Sequence, residues 1–236
     1  MSSAYLLVSH GSRDPRPEIA IQQLLGLIRE QVKEDIFDSA CLELQPEPLH
    51  EQIKKFAVTA LAAGYNRLQV IPLFLAPGVH VMKDVPDEIA LAQQALGQDM
   101  IVDLQPYIGT HPNLKCLLAK QITQKNTATW IILAHGSRRP SSQEQVEAMA
   151  QDLGAVVAYW SITPSLESKV KDLIAVGKRE IAILPYFLFP GSITDAIAQS
   201  IDTLKLQFPL VNFYLAPPLG ANTQELAQLI WDTINT

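Results

Sequence analysis

The chain has only two cysteines, Cys41 and Cys116, in 236 residues. That is too few for a disulfide framework or a cysteine-based metal knuckle. No apolar run approaches the ~18–20 residues that a membrane-spanning helix requires. Basic residues are outnumbered, 18 against 24 acidic, and the formal charge is −6. The general electrostatic footprint of a nucleic-acid binder is therefore missing, and a polyanionic ligand needs a local basic patch. The opening Met1-Ser2-Ser3-Ala4-Tyr5 has no basic n-region, so no signal peptide is read and a soluble, cytoplasmic protein is expected. Nucleophile elbows of the Gly-x-Ser-x-Gly type and glycine-rich phosphate loops are also absent. What is present is 48% apolar residues, close to the globular norm and incompatible with intrinsic disorder. The length suits one large domain or two small ones.

An internal duplication organises the chain. Leu6-Leu7-Val8-Ser9-His10-Gly11-Ser12-Arg13 returns as Ile132-Leu133-Ala134-His135-Gly136-Ser137-Arg138-Arg139. Ile71-Pro72-Leu73-Phe74-Leu75-Ala76-Pro77-Gly78 returns as Leu184-Pro185-Tyr186-Phe187-Leu188-Phe189-Pro190-Gly191, and Gly109-Thr110-His111 as Gly220-Ala221-Asn222. Matches in the same order imply two homologous halves, 1–126 and 127–236, breaking near residues 125–128. Short apolar runs mark the strands: Ala4–Val8, Ala40–Leu44, Leu68–Phe74 and Met100–Leu104, then Trp130–Leu133, Val156–Trp160, Ile181–Tyr186 and Val211–Leu215. Amphipathic stretches lie between them. One runs from Ile19 to Val32, with Ile21, Leu24, Leu25 and Ile28 at helical spacing. Gly64 and Gly177 follow helical runs as C′ residues. This alternation predicts an α/β fold of two tandem, doubly wound, Rossmann-like parallel-sheet halves. Such sheets take ligands beyond the carboxyl ends of their strands.

Chemistry-bearing residues gather at those ends. His10 follows the first strand and precedes a Gly-Ser-Arg turn, and His80 follows the third strand. Adjacent parallel strands lie ~5 Å apart, so the two imidazoles can converge on one metal. Glu43 sits near the end of the predicted second strand, where a carboxylate is costly to bury unless paired or functional. Two histidines and a carboxylate suit divalent iron, cobalt, nickel or zinc. A second reading pairs Glu43 with Arg13 as a structural ion pair. His50, in a helix's first turn, reads as solvated, and His111 and Asn222 read as helix caps.

The His10-Gly11-Ser12-Arg13 turn, the Glu43-Leu44-Gln45-Pro46 segment and the Pro72-to-Pro86 segment, with its Gly78, His80 and Asp84, together resemble the class II tetrapyrrole chelatases. Within that class they are most similar to the two-half form of the sirohydrochlorin chelatases, the CbiX and SirB proteins. The resemblance implies a lyase that inserts Fe2+ or Co2+ into sirohydrochlorin, releasing two pyrrole protons, in siroheme or cobalamin biosynthesis. It implies His10, Glu43 and His80 as metal ligands and catalytic residues, and the divalent metal as substrate with no organic cofactor. Longer cobalt-inserting members carry a histidine-rich stretch and a cysteine-rich tail; this sequence has neither, which favours iron.

The second half keeps His135, but Ser161 stands opposite Glu43 and Ile193 opposite His80. One complete site, in the first half, is the expectation; the second site is degenerate. Ser12, Arg13, Lys83, Arg138 and His135 are candidate contacts for the carboxylates of the macrocycle, through helix N-termini and arginine forks. The alternative is solvated surface charge for the basic residues and a structural role for His135. Expected partners are sirohydrochlorin and a divalent ion, without nucleic acid or membrane, for a monomer or small homo-oligomer. A histidine-nucleophile phosphatase carries arginine before its histidine, where Ser9 and Ala134 stand here. A non-enzymatic carrier of tetrapyrrole or divalent metal uses the same ligands and stays open.

Overall fold

A computed structural model of the chain describes residues 3–31, 36–125 and 128–234. Val32 of the first expected helix, and residues 126–127 at the expected break of the duplication, lie outside the described residues.

The chain forms two compact units, Met1–His111 with Thr223–Thr236, and Pro112–Asn222. In the first, β1 (Ala4–Ser9), β2 (Ile36–Cys41), β3 (Arg67–Pro72) and β4 (Ile101–Leu104) make a parallel sheet ordered β2-β1-β3-β4. The helices here are α1 (Arg16–Gln31), α2 (Leu49–Ala62), α3 (Val85–Leu96) and, from the end of the chain, α8 (Thr223–Ile234). The second unit has α4 (Pro112–Thr123), then β5 (Thr129–Ala134), α5 (Pro140–Asp152), β6 (Val156–Tyr159), α6 (Leu166–Ala175), β7 (Glu180–Pro185), α7 (Ser192–Gln207) and β8 (Asn212–Leu215). Its sheet is ordered β6-β5-β7-β8 and is again parallel.

Strand alternation divides the core of the first unit between the two faces of its sheet. Ala4, Leu6, Val8, Ala40, Leu68 and Val70 meet Leu49, Ile53, Phe56 and Ala60 of α2 and Val85, Ile89 and Ala92 of α3. The opposite face carries Tyr5, stacked on Phe37 at 4.8 Å, and is covered by α1, which packs on α8. The α1 stripe is Ala20, Ile21, Leu24, Leu25 and Ile28, as its helical spacing predicts. Gly64 and Gly177 adopt φ of +91° and +86°. Each ends its helix as a Schellman cap, with Tyr65 N–H on the Ala60 carbonyl and Lys178 N–H on the Leu173 carbonyl.

Two expectations change. The second strand is Ile36–Cys41, not Ala40–Leu44. It is an edge strand with exposed Asp38, so its sequence lacks the continuous apolar run of a strand covered on both faces. His50 is not solvated: its Nδ1 lies 2.8 Å from Glu88 Oε2, and its backbone N–H donates to the same oxygen at 2.7 Å. Glu88 of α3 thereby satisfies an N-terminal donor of α2. The sequence halves and the compact units are also different partitions, because α4 follows the first half's strands yet belongs to the second unit, and α8 does the reverse. Among the described residues no helix is long and apolar enough to cross a membrane.

Ile53 is fully buried between α2 and the sheet. Ile53→Ala is expected to cost about 2–5 kcal/mol, through lost transfer energy and a residual cavity. Denaturant unfolding measures this, and a loss below about 1 kcal/mol would show that the surrounding core collapses to fill the space.

Candidate metal centre

The strand order places a topological switch point between β1 and β3, where successive connections leave in opposite directions. The loop after β1 carries His10, the segment after β3 carries His80, and the turn after β2 carries Glu43.

Backbone pairing continues past the strand ends and sets these loops side by side. Leu42 N–H donates to the Ser9 carbonyl at 2.9 Å and Glu43 N–H to the His10 carbonyl at 3.0 Å. On the other side of β1, Leu73 N–H donates to the Val8 carbonyl at 2.7 Å. Gly11 makes this approach possible. It has φ of +96°, and a Cβ there would lie 2.2 Å from the Glu43 carbonyl oxygen. Beyond it the loop is clamped on itself. The Asp14 carboxylate accepts from the Arg16 Nε and backbone N–H, each at 3.0 Å, and Ser12 Oγ accepts from Asp14 N–H at 3.0 Å. The Arg16 guanidinium and N–H hold the Asp14 carboxyl down at about 2, so it stays ionised at neutral pH.

His80 opens a π-turn, His80–Asp84, that leads into α3. Pro86 explains the wide turn: it has no N–H for the Met82 carbonyl, and in a regular α-helix its ring would strike that carbonyl. Val81 and Val85 are buried and anchor one side of the turn, leaving His80 and Asp84 on the other.

The result is a cluster of His10, Glu43 and His80 whose donor atoms all lie within 4.8 Å of one another. Glu43 stands between the histidines, with Oε2 at 3.9 Å from His10 Nδ1 and Oε1 at 3.9 Å from His80 Nδ1. The imidazoles are tilted by 31° with centroids 4.6 Å apart. Glu43 therefore faces the two histidines, not Arg13. Nor is it a buried strand carboxylate: its side chain is 49% exposed, and those of His10 and His80 are 51% and 38% exposed. The site is open to a ligand. Two imidazole nitrogens and a carboxylate oxygen match the donor preferences of first-row divalent ions.

Ser12 and Arg13 are exposed in the loop of His10, and Lys83 is exposed within the π-turn. In the second unit His135 and Arg138 are exposed after β5. The equivalence of Ser161 with Glu43 appears in the backbone, where Trp160 and Ser161 N–H donate to the Ala134 and His135 carbonyls, each at 2.9 Å. Ser161 Oγ donates to the His135 carbonyl at 2.8 Å. Ile193 lies in the first turn of α7 and packs against the core, so no second imidazole joins His135. Gly109 and Gly220 are equivalent for a steric reason, since a Cβ would lie 2.1 Å from the Leu75 carbonyl oxygen and 2.4 Å from that of Leu188. Sequence reasoning placed Asp84 in the motif but gave it no role; its Oδ2 is 2.8 Å from His80 Nδ1. Its signal was an acidic residue four positions after a candidate ligand on one helical face.

The fold and site together define a doubly wound α/β protein with an open His–Glu–His cluster at its switch point. The sequence model of the CbiX family matches residues 4–125 and again 129–235, and the chain belongs to that family. It is 24% identical to the sirohydrochlorin cobaltochelatase of Priestia megaterium, over 91% of this chain and 74% of the relative. It is 22% identical to the sirohydrochlorin ferrochelatase of Bacillus subtilis (strain 168), over 93% and 86%. Its fold is that of SirB from Bacillus subtilis solved with Fe3+, with a TM-score of 0.80 and 21% identity, over 99% of this chain and 96% of that one. The structure of CbiX from denitrifying bacteria gives a TM-score of 0.70 at 19% identity, over 99% and 98%.

Gly11→Ala tests the close approach. Forcing a Cβ into the left-handed region against the Glu43 carbonyl is expected to cost about 1–3 kcal/mol of stability and to displace Glu43 from His10. Thermal unfolding and calorimetric titration with Co2+ alone measure the two effects. Wild-type stability together with wild-type Co2+ affinity would show that the loop relaxes freely.

Proposed function

We propose that this chain is a sirohydrochlorin chelatase, a lyase that inserts Fe2+ or Co2+ into sirohydrochlorin on the route to siroheme or cobalamin. The observation that carries this reading is the open His10–Glu43–His80 cluster at the sheet's switch point, with donor atoms within 4.8 Å of one another. The names of the curated relatives, cobaltochelatase and ferrochelatase, support the same reaction. A nitrogen–oxygen donor set accepts either metal. The reaction needs no organic cofactor, and we assign it to the cytoplasm, with a monomer or small homo-oligomer as the working form.

Insertion has three physical requirements: the metal must shed water, the ring nitrogens must present lone pairs, and two pyrrole N–H bonds must break. His10 and His80 replace water on the incoming ion and hold it against one face of the macrocycle. As the ring nitrogens take over the metal, each N–H electron pair stays on nitrogen and forms the new bond. Glu43, between the two imidazoles, accepts the two protons in turn at a carboxylate oxygen and passes each to water, which reaches its half-exposed side chain. Ser12, Arg13 and Lys83 in the first unit, and Arg138 and His135 in the second, are the proposed contacts for the substrate's carboxylates. In this reading the second half, 127–236, carries a degenerate site.

A turnover assay with sirohydrochlorin and Fe2+ or Co2+, followed by absorbance, tests the function. A chelatase makes many equivalents of metallated product per chain, whereas a carrier stops at one. His10→Ala and His80→Ala are expected to bring insertion to background, while His135→Ala removes one substrate contact worth about 1–3 kcal/mol, roughly 5–150-fold at most. An inactive His135→Ala beside an active His10→Ala would move the site to the second half. Glu43→Gln is expected to retain macrocycle binding and lose turnover, because the amide keeps the shape without the basicity. Wild-type turnover in that variant would reduce the carboxylate to a structural part.

A further inference from the structure

We propose that Asp84 is the positioning residue of the centre: it fixes the proton of His80 on Nδ1, so that Nε2 is the nitrogen presented to the metal. Asp84 Oδ2 lies 2.8 Å from His80 Nδ1, the geometry of a full hydrogen bond, whereas the nearest Glu43 oxygen is 3.9 Å from the same nitrogen. A carboxylate only accepts, so Nδ1 carries the hydrogen. A neutral imidazole holds one N–H, and Nε2 is left with its lone pair.

The local fold is built to keep this pair. Pro86 widens the helix entry into a π-turn, and the buried Val81 and Val85 lock the turn to the core. His80 and Asp84 are thereby held on the opposite, open side at i and i+4, where helical side chains meet. Without Asp84, His80 is free to rotate and to exchange its proton between the two nitrogens. Part of the population would then offer an N–H to the incoming ion. Outer partners of this kind typically change metal affinity or activity by about 10–100-fold.

The assignment rests on the chelatase reading for its effect on rate, but not for its effect on the ring. Two-dimensional long-range 1H–15N spectra of the 15N-labelled, metal-free chain at pH 8 read the His80 tautomer directly. The wild type is expected to show a protonated Nδ1 and a bare Nε2. On titration with Zn2+ alone, the Nε2 resonance is expected to shift while Nδ1 stays protonated. Asp84→Ala is expected to lose the single tautomer and about 10–100-fold in insertion rate. Asp84→Asn, turned so that its amide oxygen accepts from Nδ1, is expected to restore the tautomer and part of the rate. The wild-type spectrum and the Asn variant keep the test decisive if Asp84→Ala does not fold. A wild-type His80 protonated on Nε2, or an unchanged tautomer in Asp84→Ala, overturns the proposal. A wild type with the expected tautomer and no turnover overturns the chelatase reading instead.

Discussion

The centre depends on hydrogen bonds that do not end where the strands end. β1 pairs with β2 through Ser9 and Cys41, and the ladder then runs on through Leu42 and Glu43 to the carbonyls of Ser9 and His10. On its other side, Leu73 N–H binds the Val8 carbonyl. These main-chain bonds make the loops after β1, β2 and β3 an extension of the sheet. Exposed His10 and Glu43 and half-buried His80 thus stand close together on a fixed backbone, not on mobile loops.

The second unit shows that frame and chemistry are separable. Ser161 and His135 repeat the backbone bond of Glu43 and His10 almost unchanged, at 2.9 Å against 3.0 Å. The difference lies in side chains and in one helix entry. Where the first unit uses a proline-widened turn to present an imidazole, the second starts α7 directly and points Ile193 into its core. Gly191 caps that start, its N–H donating to Thr194 Oγ1 at 2.8 Å.

The repeat, the parallel sheets and the three clustered residues were legible in the sequence because each has a short-range signature. Covered central strands show apolar runs, and histidines after strands must project at the sheet edge. The second strand was misplaced because an edge strand needs no such run: Ile36-Phe37-Asp38-Ser39 is only half buried, and the apolar segment around Leu42 already belongs to the turn. Asp84 was visible but unassigned, since i+4 spacing does not say that a π-turn will close the distance. The Glu88 contact of His50 was not visible at all, because it joins two helices far apart in sequence. The exchange of α4 and α8 was hidden for the same reason. An amphipathic pattern states that a helix has an apolar face, not which sheet will receive it.

That exchange bears on how the protein is made. Residues of the second unit form one uninterrupted stretch, Pro112–Asn222, whereas the first unit is assembled from both ends of the chain. During synthesis, then, the unit written later can complete its core first. The one bearing His10, Glu43 and His80 has α1 without its packing partner until α8 has been made. Its residues Leu226, Ala227, Leu229 and Ile230 are buried in the finished protein. A chain that stops short of α8 therefore leaves α1 without the helix it packs on, in the same unit that bears His10, Glu43 and His80.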